Sequence, residues 1–214
     1  MAPRIEPFER HARAYEAWFH RHLYAYASEL EAVRSLLPPG EGVEVGVGSG
    51  RFAGPLGIRR GVEPSARMRG LARRRGIDAV AGVAEHLPFA DRSVDFVLMV
   101  TTICFVDDPA RAVAEAYRVL RPGGRLLVGF VDRESPLGRR YEAHKAGHPF
   151  YSVATFFSAR EVEELLRAAG LESVEFRQTL FSELDELTGP EPTLDGHGQG
   201  SFVVVSGRRP YDRP

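Results

Sequence analysis

Cysteine is nearly missing from this 214-residue chain, Cys104 standing alone, which excludes an internal disulfide and a cysteine-rich zinc site. Lysine is as scarce: Lys145 is the single one, so arginine carries the positive charge. Neither sign dominates. A formal net charge of −1 gives no general field for phosphates, and no nucleic-acid partner is expected. Apolar runs near the ~20 residues of a membrane span are absent, as is the apolar stretch of a signal peptide at the start. No membrane association is expected, and the expected location is cytoplasmic. There is no internal repeat and no low-complexity segment. What is present is 43% hydrophobic and 27% charged, the composition of one globular domain with a sizeable core. Cys104 follows the run Met99-Val-Thr-Thr-Ile103, which predicts an inert thiol near the end of a buried strand.

Ala12, Tyr15, Phe19, Leu23, Tyr26, Leu30, Val33 and Leu37 recur at steps of three and four. They predict one helical stripe over 8–37, stopped by Pro38-Pro39-Gly40. Short apolar runs then alternate with helical patterns, which predicts crossovers and a mainly parallel sheet. Strands are expected at 43–47, 58–62, 78–81, 94–100 and 126–131, with two more at 174–176 and 202–205. The run 94–100 is almost wholly apolar, as a central strand buried on both faces requires. Ser65, Asp108 with Pro109, and Ser158 with Glu161 read as helix starts. Residues 133–157 mix polar, glycine and aromatic residues without a clear period; 183–200 reads as a loop, and 208–214 as a frayed polar tail.

The most informative stretch is Val43-Glu-Val-Gly-Val-Gly-Ser-Gly50. A strand runs into three alternate glycines, which permit positive φ and close backbone approach to a ligand. Open α/β sheets bind nucleotides at this edge. The spacing is GxGxG, unlike the GxGxxG of dinucleotide folds, and Glu44 suits a cationic ammonium better than a pyrophosphate. Glu63, at the end of the second strand in Gly61-Val-Glu-Pro-Ser65, is placed to accept bonds from ribose hydroxyls.

With these residues in view, the chain resembles the class I S-adenosylmethionine-dependent methyltransferases of the small-molecule type. Four blocks match in order, at 44–50, 61–65, 82–89 and 94–130. The last contains Ala114-Glu-Ala-Tyr-Arg-Val-Leu-Arg-Pro-Gly-Gly-Arg-Leu126, similar to the family's helix–turn–strand signature. The resemblance implies an α/β Rossmann-like, seven-stranded, mainly parallel sheet flanked by helices, of order 3-2-1-4-5-7-6 with the seventh strand antiparallel. Residues 1–40 would form an N-terminal helical cap or lid, and 41–207 the methyltransferase domain.

By the same resemblance the cofactor is S-adenosyl-L-methionine. Glu44 and Gly46 would face its methionine part, Gly48 and Gly50 its ribose and methionine backbone, and Glu63 its ribose. Pro64 or Met68 would pack near adenine, Ala84 and Glu85 would meet the adenine edge, and Thr101 and Thr102 would face the transferred methyl. Val83 departs from the family, which often has an acid there, so that contact falls to Glu85 or water. Tyr15 resembles a lid residue over the cofactor, with Trp18, Phe19 and Tyr151 as further lid or substrate candidates.

Methyl transfer to a small molecule asks mainly for in-line placement of acceptor and donor. A neutral nucleophile also asks for a base; His20, His22, His148 and His197 are candidates, none assigned. No metal site is expected, and oligomeric state is not legible. Two rival readings remain: a non-catalytic binder of the same cofactor, and a nicotinamide oxidoreductase built on the Tyr141 to Lys145 YxxxK spacing.

Overall fold

A computed structural model describes residues 4–212. Two helices come first, α1 (Glu6–Arg21) and α2 (Leu23–Leu36). The single stripe expected over 8–37 is thus broken, at His22, whose φ of −113° and ψ of 52° leave the helical region. Periodicity does not register a one-residue break: beyond it α2 buries Ala25, Ser28, Glu29, Ala32, Val33 and Leu36, so of the predicted stripe Val33 stays buried while Leu23 is exposed. The bend sends α1 toward the carboxyl ends of the strands while α2 packs on a sheet face.

The strands are β1 (Gly42–Val45), β2 (Arg60–Val62), β3 (Asp78–Val80), β4 (Val94–Val100), β5 (Leu120–Val131), β6 (Glu172–Thr179), β7 (Leu194–Asp195) and β8 (Phe202–Arg208). Their spatial order is β3-β2-β1-β4-β5-β8-β6-β7. The first five pair in parallel, and β8 is antiparallel to both β5 and β6. The sheet therefore has eight strands and is mixed, where seven were expected. The addition is β7, a two-residue edge strand inside the segment read as a loop. It pairs through the backbones of Arg177 and Gln178, which needs no side-chain pattern. Gln178 fixes the loop further: its Nε2 donates to Asp195 O at 3.1 Å, and its Oε1 accepts from Gln199 and Gly200 N–H at 2.9 and 2.8 Å.

Helices α3 (Ala53–Leu56), α4 (Ala66–Arg74), α5 (Pro109–Val119), α6 (Pro136–His144) and α7 (Ala159–Ala168) make the crossovers and the cap. Caps start three of them as read. Ser65 Oγ accepts from Met68 N–H at 3.1 Å and Asp108 Oδ1 from Arg111 N–H at 2.9 Å. Ser158 and Glu161 form a reciprocal box; losing such a cap costs about 1 kcal/mol. Side chains of β4 alternate between two cores. Val97 and Met99 pack with α5 and α7, and Phe96, Leu98 and Val100 with α2. Each such buried side chain contributes roughly 1.5–3 kcal/mol, so this strand anchors the edge where β1, β2 and β4 end together.

The carboxyl-terminal segment expected to fray is instead tied down. Arg209 donates to the carbonyls of Tyr117 and Leu120 at 2.8 Å each, and its guanidinium lies 4.5 Å from the Tyr117 ring centroid. Arg213 and Pro214 lie outside the described residues. No helix among the described residues is long and apolar enough to cross a membrane.

Candidate functional site

Beyond the carboxyl ends of β1, β2 and β4 lies a cavity of about 290 Å³, where open parallel sheets place ligands. Its floor is backbone. Gly46 N–H bonds Val62 O at 2.8 Å, and Gly48 N–H bonds Glu63 Oε2 at 2.9 Å, so the turn after β1 is laced to the end of β2. Gly46 and Gly48 have φ of +67° and +54°, the left-handed region that side chains resist. A Cβ at Gly46 would overlap Thr102 Oγ1, and one at Gly48 would lie 3.1 Å from Tyr15 Oη.

Glu63 lines the cavity. Burial raises its carboxyl above the usual range, opposed by N–H bonds from Ser65 and Gly48. Glu44 is wholly buried and does not line the cavity. Burial, with Glu63 nearby, raises its carboxyl well above the usual range, and its Oε2 has no hydrogen-bond partner. Tyr15 roofs this floor. Burial and the Glu44 and Glu63 carboxylates keep its phenol protonated.

At the far wall, Thr101 has φ of +51°, a strained conformation for a β-branched residue. Its N–H bonds Gly129 O at 2.8 Å, while Thr102 Oγ1 lies 3.1 Å from both Val45 O and Val100 O. The strand end is thereby pinned to β1, and Thr101 is left exposed to the cavity.

Of the expected residues, Tyr15, Gly46, Gly48, Glu63, Pro64, Ala84, Glu85, Thr101 and Thr102 line this one space. Gly50 does not: a Cβ there would run into Ile77 on the sheet side. Met68 is fully buried beneath the loop. Trp18 and Phe19 turn toward the α2 side, Phe19 packing on Tyr15, Trp18 and Tyr26 with Arg51 over its ring. Tyr151 stands in a separate chamber. Glu85 reaches the wall, its Oε1 accepting from Asp107 and Asp108 N–H at 2.7 and 3.2 Å, and Val83 lines the wall beside it. None of the four candidate histidines lines the cavity. Lys145 pairs with Glu142 at 2.7 Å, so the YxxxK spacing assembles no oxidoreductase site there. Cys104 is buried, its thiol pushed up to about 12.

Sequence reading missed much of the lining, including Arg4, Ile5 and Phe8 from the amino-terminal end, and Phe105, Val106 and Asp107 after β4. Phe8 lies seven residues before Tyr15 on the same helical side, a usable signal. Arg4 carries none; its Nε reaches Asp107 Oδ1 at 3.2 Å and its Nη1 reaches Val153 O at 2.8 Å only in the fold. Helix α1 is fastened twice more. Glu9 accepts from Ser65 Oγ at 2.8 Å. Glu16 holds Ser49, Arg51 and Arg75, the two arginines at 2.7 and 2.6 Å. Burial pulls the Glu16 carboxyl upward, but these partners outweigh it and hold it low.

The residues present fit a sulfonium nucleoside: a side-chain-free floor at Gly46 and Gly48 and a ribose-level carboxylate at Glu63 line one cavity.

Comparison with known proteins agrees. The methyltransferase domain family matches residues 43–128. A solved structure from Thermotoga maritima, a SAM-dependent methyltransferase described as a possible histamine N-methyltransferase, is 56% identical. The match covers 96% of this chain and 99% of that one, with a TM-score of 0.95. An uncharacterized protein of Methanocaldococcus jannaschii is 40% identical over 202 residues, 94% of this chain and 98% of its own. A malonyl-[acyl-carrier protein] O-methyltransferase of Methylococcus capsulatus is 33% identical over 164 residues, 69% of this chain and 58% of its own.

Proposed function

The chain belongs to the S-adenosylmethionine-dependent methyltransferases, and from that premise we propose that it methylates a small-molecule acceptor by in-line displacement at the Thr101 wall. The observation that carries this reading is the run of one continuous cavity from Gly46 past Glu63 to Ala84, with Thr101 and Thr102 on its flank. When bound, the cofactor would supply an already activated methyl group at the Thr101 wall.

The chain's own residues then have three tasks. Glu63 accepts the ribose hydroxyls, its free lone pairs remaining after the Gly48 and Ser65 N–H bonds; charge-assisted bonds of this kind are worth about 1.5–3 kcal/mol. Gly46 and Gly48 let the methionine portion lie on bare backbone. Tyr15, Phe8 and Phe105 close the top and exclude water, which strengthens every polar contact inside. Phe8 meets Phe105 edge-on at 5.0 Å.

In this reading the described part of the expected 1–40 cap divides, the segment through α1 being the lid and α2 packing on the sheet, and 41–207 is the catalytic body. Positioning by such a site supplies on the order of 7–11 kcal/mol of rate enhancement. The description of the T. maritima relative puts amines first among acceptors to try. The test is incubation with methyl-labelled S-adenosylmethionine and a metabolite extract, followed by identification of labelled products. Label in a low-molecular-weight product is expected. Label confined to protein or nucleic acid, or none with the cofactor bound, defeats the reading.

A further inference from the structure

Helix α1 carries an aromatic–acid pair twice, Phe8-Glu9 and Tyr15-Glu16, at a spacing that returns to one helical side. His11, with φ of −112° and ψ of 24°, bends the helix between the two pairs. Each piece of α1 thus holds one ring and one acid. Both rings line the main cavity. The acids do not line it, and neither do the groups they grip.

Glu9 Oε1 accepts from Ser65 Oγ at 2.8 Å and from Arg67 N–H at 3.2 Å. Ser65 N–H in turn holds Glu63 at 2.8 Å, so this acid fastens α1 just outside the cavity carboxylate. Glu16 fastens the other piece to the glycine turn. Its Oε1 accepts from Ser49 Oγ, and its Oε2 from Arg51 Nη2 at 2.7 Å and Arg75 Nη2 at 2.6 Å. Arg75 also donates to Ser49 O at 2.7 Å, and Tyr26 of α2 donates its hydroxyl to Arg51 O. The Arg51, Glu16 and Arg75 side chains are 17%, 21% and 30% exposed, so ions from solvent reach them. Beyond these ties α1 meets the body at His22, where the helix breaks before α2.

We propose that Glu9 and Glu16 are positioning residues that latch Phe8 and Tyr15 over the cavity. Their release, with α1 swinging on His22, sets the rate at which S-adenosylmethionine and its demethylated product exchange. The inference rests on the lid reading given above and assigns what governs that lid. A residue that grips the ligand slows its departure and leaves its entry alone. These acids act differently, because every contact they make lies within the chain and off the cavity. They hold the lid equally whether the ligand is in or out. A ligand passes only while the lid is open, so both rates scale with the open fraction and their ratio, the affinity, does not. A single element-terminal residue such as His22 is enough to absorb the torsional change. Arg4 is a third tie, but it lines the cavity itself and so is no pure latch.

The test follows S-adenosylhomocysteine exchange on the full-length protein; this probe carries one ammonium and one carboxylate, so salt finds no net charge on it. Chase of labelled probe gives the release rate, calorimetry gives the affinity, and the two together give the entry rate. Trp18, the chain's single tryptophan, packs on Phe19 and His22, and its stopped-flow emission reports the lid directly. Glu16→Gln should raise entry and release together by about 3- to 10-fold, with affinity within about 3-fold. Glu9→Gln, which breaks no ion pair, should raise both about 2- to 3-fold; the double variant should show the product of the two effects. Glu16→Asp should fall between Glu16→Gln and the parent. Raising salt from about 0.05 to about 1 M should speed both rates in the parent and much less in Glu16→Gln, a comparison whose first half needs no substitution. Glu6→Gln is the control, since Glu6 pairs only with Arg10 along the same helix, and both rates should stay within about 2-fold. Faster release with unchanged entry, rates in Glu16→Gln equal to the parent's, or an equal salt response in the two overturns the inference. No binding of the probe by the parent would defeat the cofactor reading itself, whereas tight binding with exchange indifferent to both acids defeats the latch alone.

Discussion

The floor and the roof of the main cavity are built by different means. The floor is backbone, held by hydrogen bonds between the ends of neighbouring strands: Gly46 to Val62, Gly48 to Glu63, Thr101 to Gly129. The roof is side chains reaching across long stretches of sequence, as Arg4 does to Asp107 and Val153, and Phe8 to Phe105 and Phe150. A floor of this kind tolerates almost no added atoms. The roof consists of contacts that can be made and broken singly, as a lid over an exchanging ligand requires.

Substitution can break that contrast, beginning where the effect is largest. Gly48→Val is expected to lower S-adenosylhomocysteine affinity by more than about 100-fold while the chain still folds. The structure adds that the new Cβ meets Tyr15 Oη at 3.1 Å, so the loss combines backbone strain with a displaced roof. Calorimetry checks it, and unchanged affinity would make the glycines a mere turn. Glu63→Ala should weaken binding roughly 10- to 100-fold. It also leaves the Gly48 and Ser65 N–H groups unpaired, so its melting temperature should fall as well.

A subtler comparison lies between the two buried acids, Glu29 and Glu63, in their response to pH. The Glu29 carboxyl is raised from 4.5 to about 8 in the folded state. Between those values the native state holds a proton that the unfolded chain releases. Stability from this group is therefore complete below pH 4.5 and is lost as pH rises through 8. Glu29→Gln should match the parent in melting temperature at pH 4.5 and exceed it by several degrees at pH 8. A gap that does not widen with pH would mean that Glu29 is paired in solution. The smallest effect is expected from the roof. Arg4→Ala removes one partly exposed ion pair worth about 0–1 kcal/mol, so product affinity should fall less than about threefold, with faster release in stopped-flow. A larger loss would make Arg4 part of the binding floor in all but position.

The same contrast explains what could be read beforehand. The glycine turn, Glu63, the caps at Ser65, Asp108 and Ser158 and the buried run of β4 all obey rules that act within a few residues, and they are found where the sequence reading put them. The break at His22, the β7 pairing and the docking of Arg209 on the Tyr117 and Leu120 carbonyls depend on partners distant in sequence. Four expected residues lie off the cavity for the same reason. Gly50, Met68, Trp18 and Phe19 lie close in sequence to lining residues, but their side of the turn or helix faces the core.

By itself the sequence determined the alternation of strands and helices, the bare turn after β1 and the acid after β2, because φ preference, capping and periodicity are local properties. Tertiary structure alone decided which aromatic rings close the cavity, that Arg4 and Asp107 meet over it, and that Glu29 is buried. Those are matters of which distant surfaces pack together, and burial, which sets the charge state of an acid, exists only once they do.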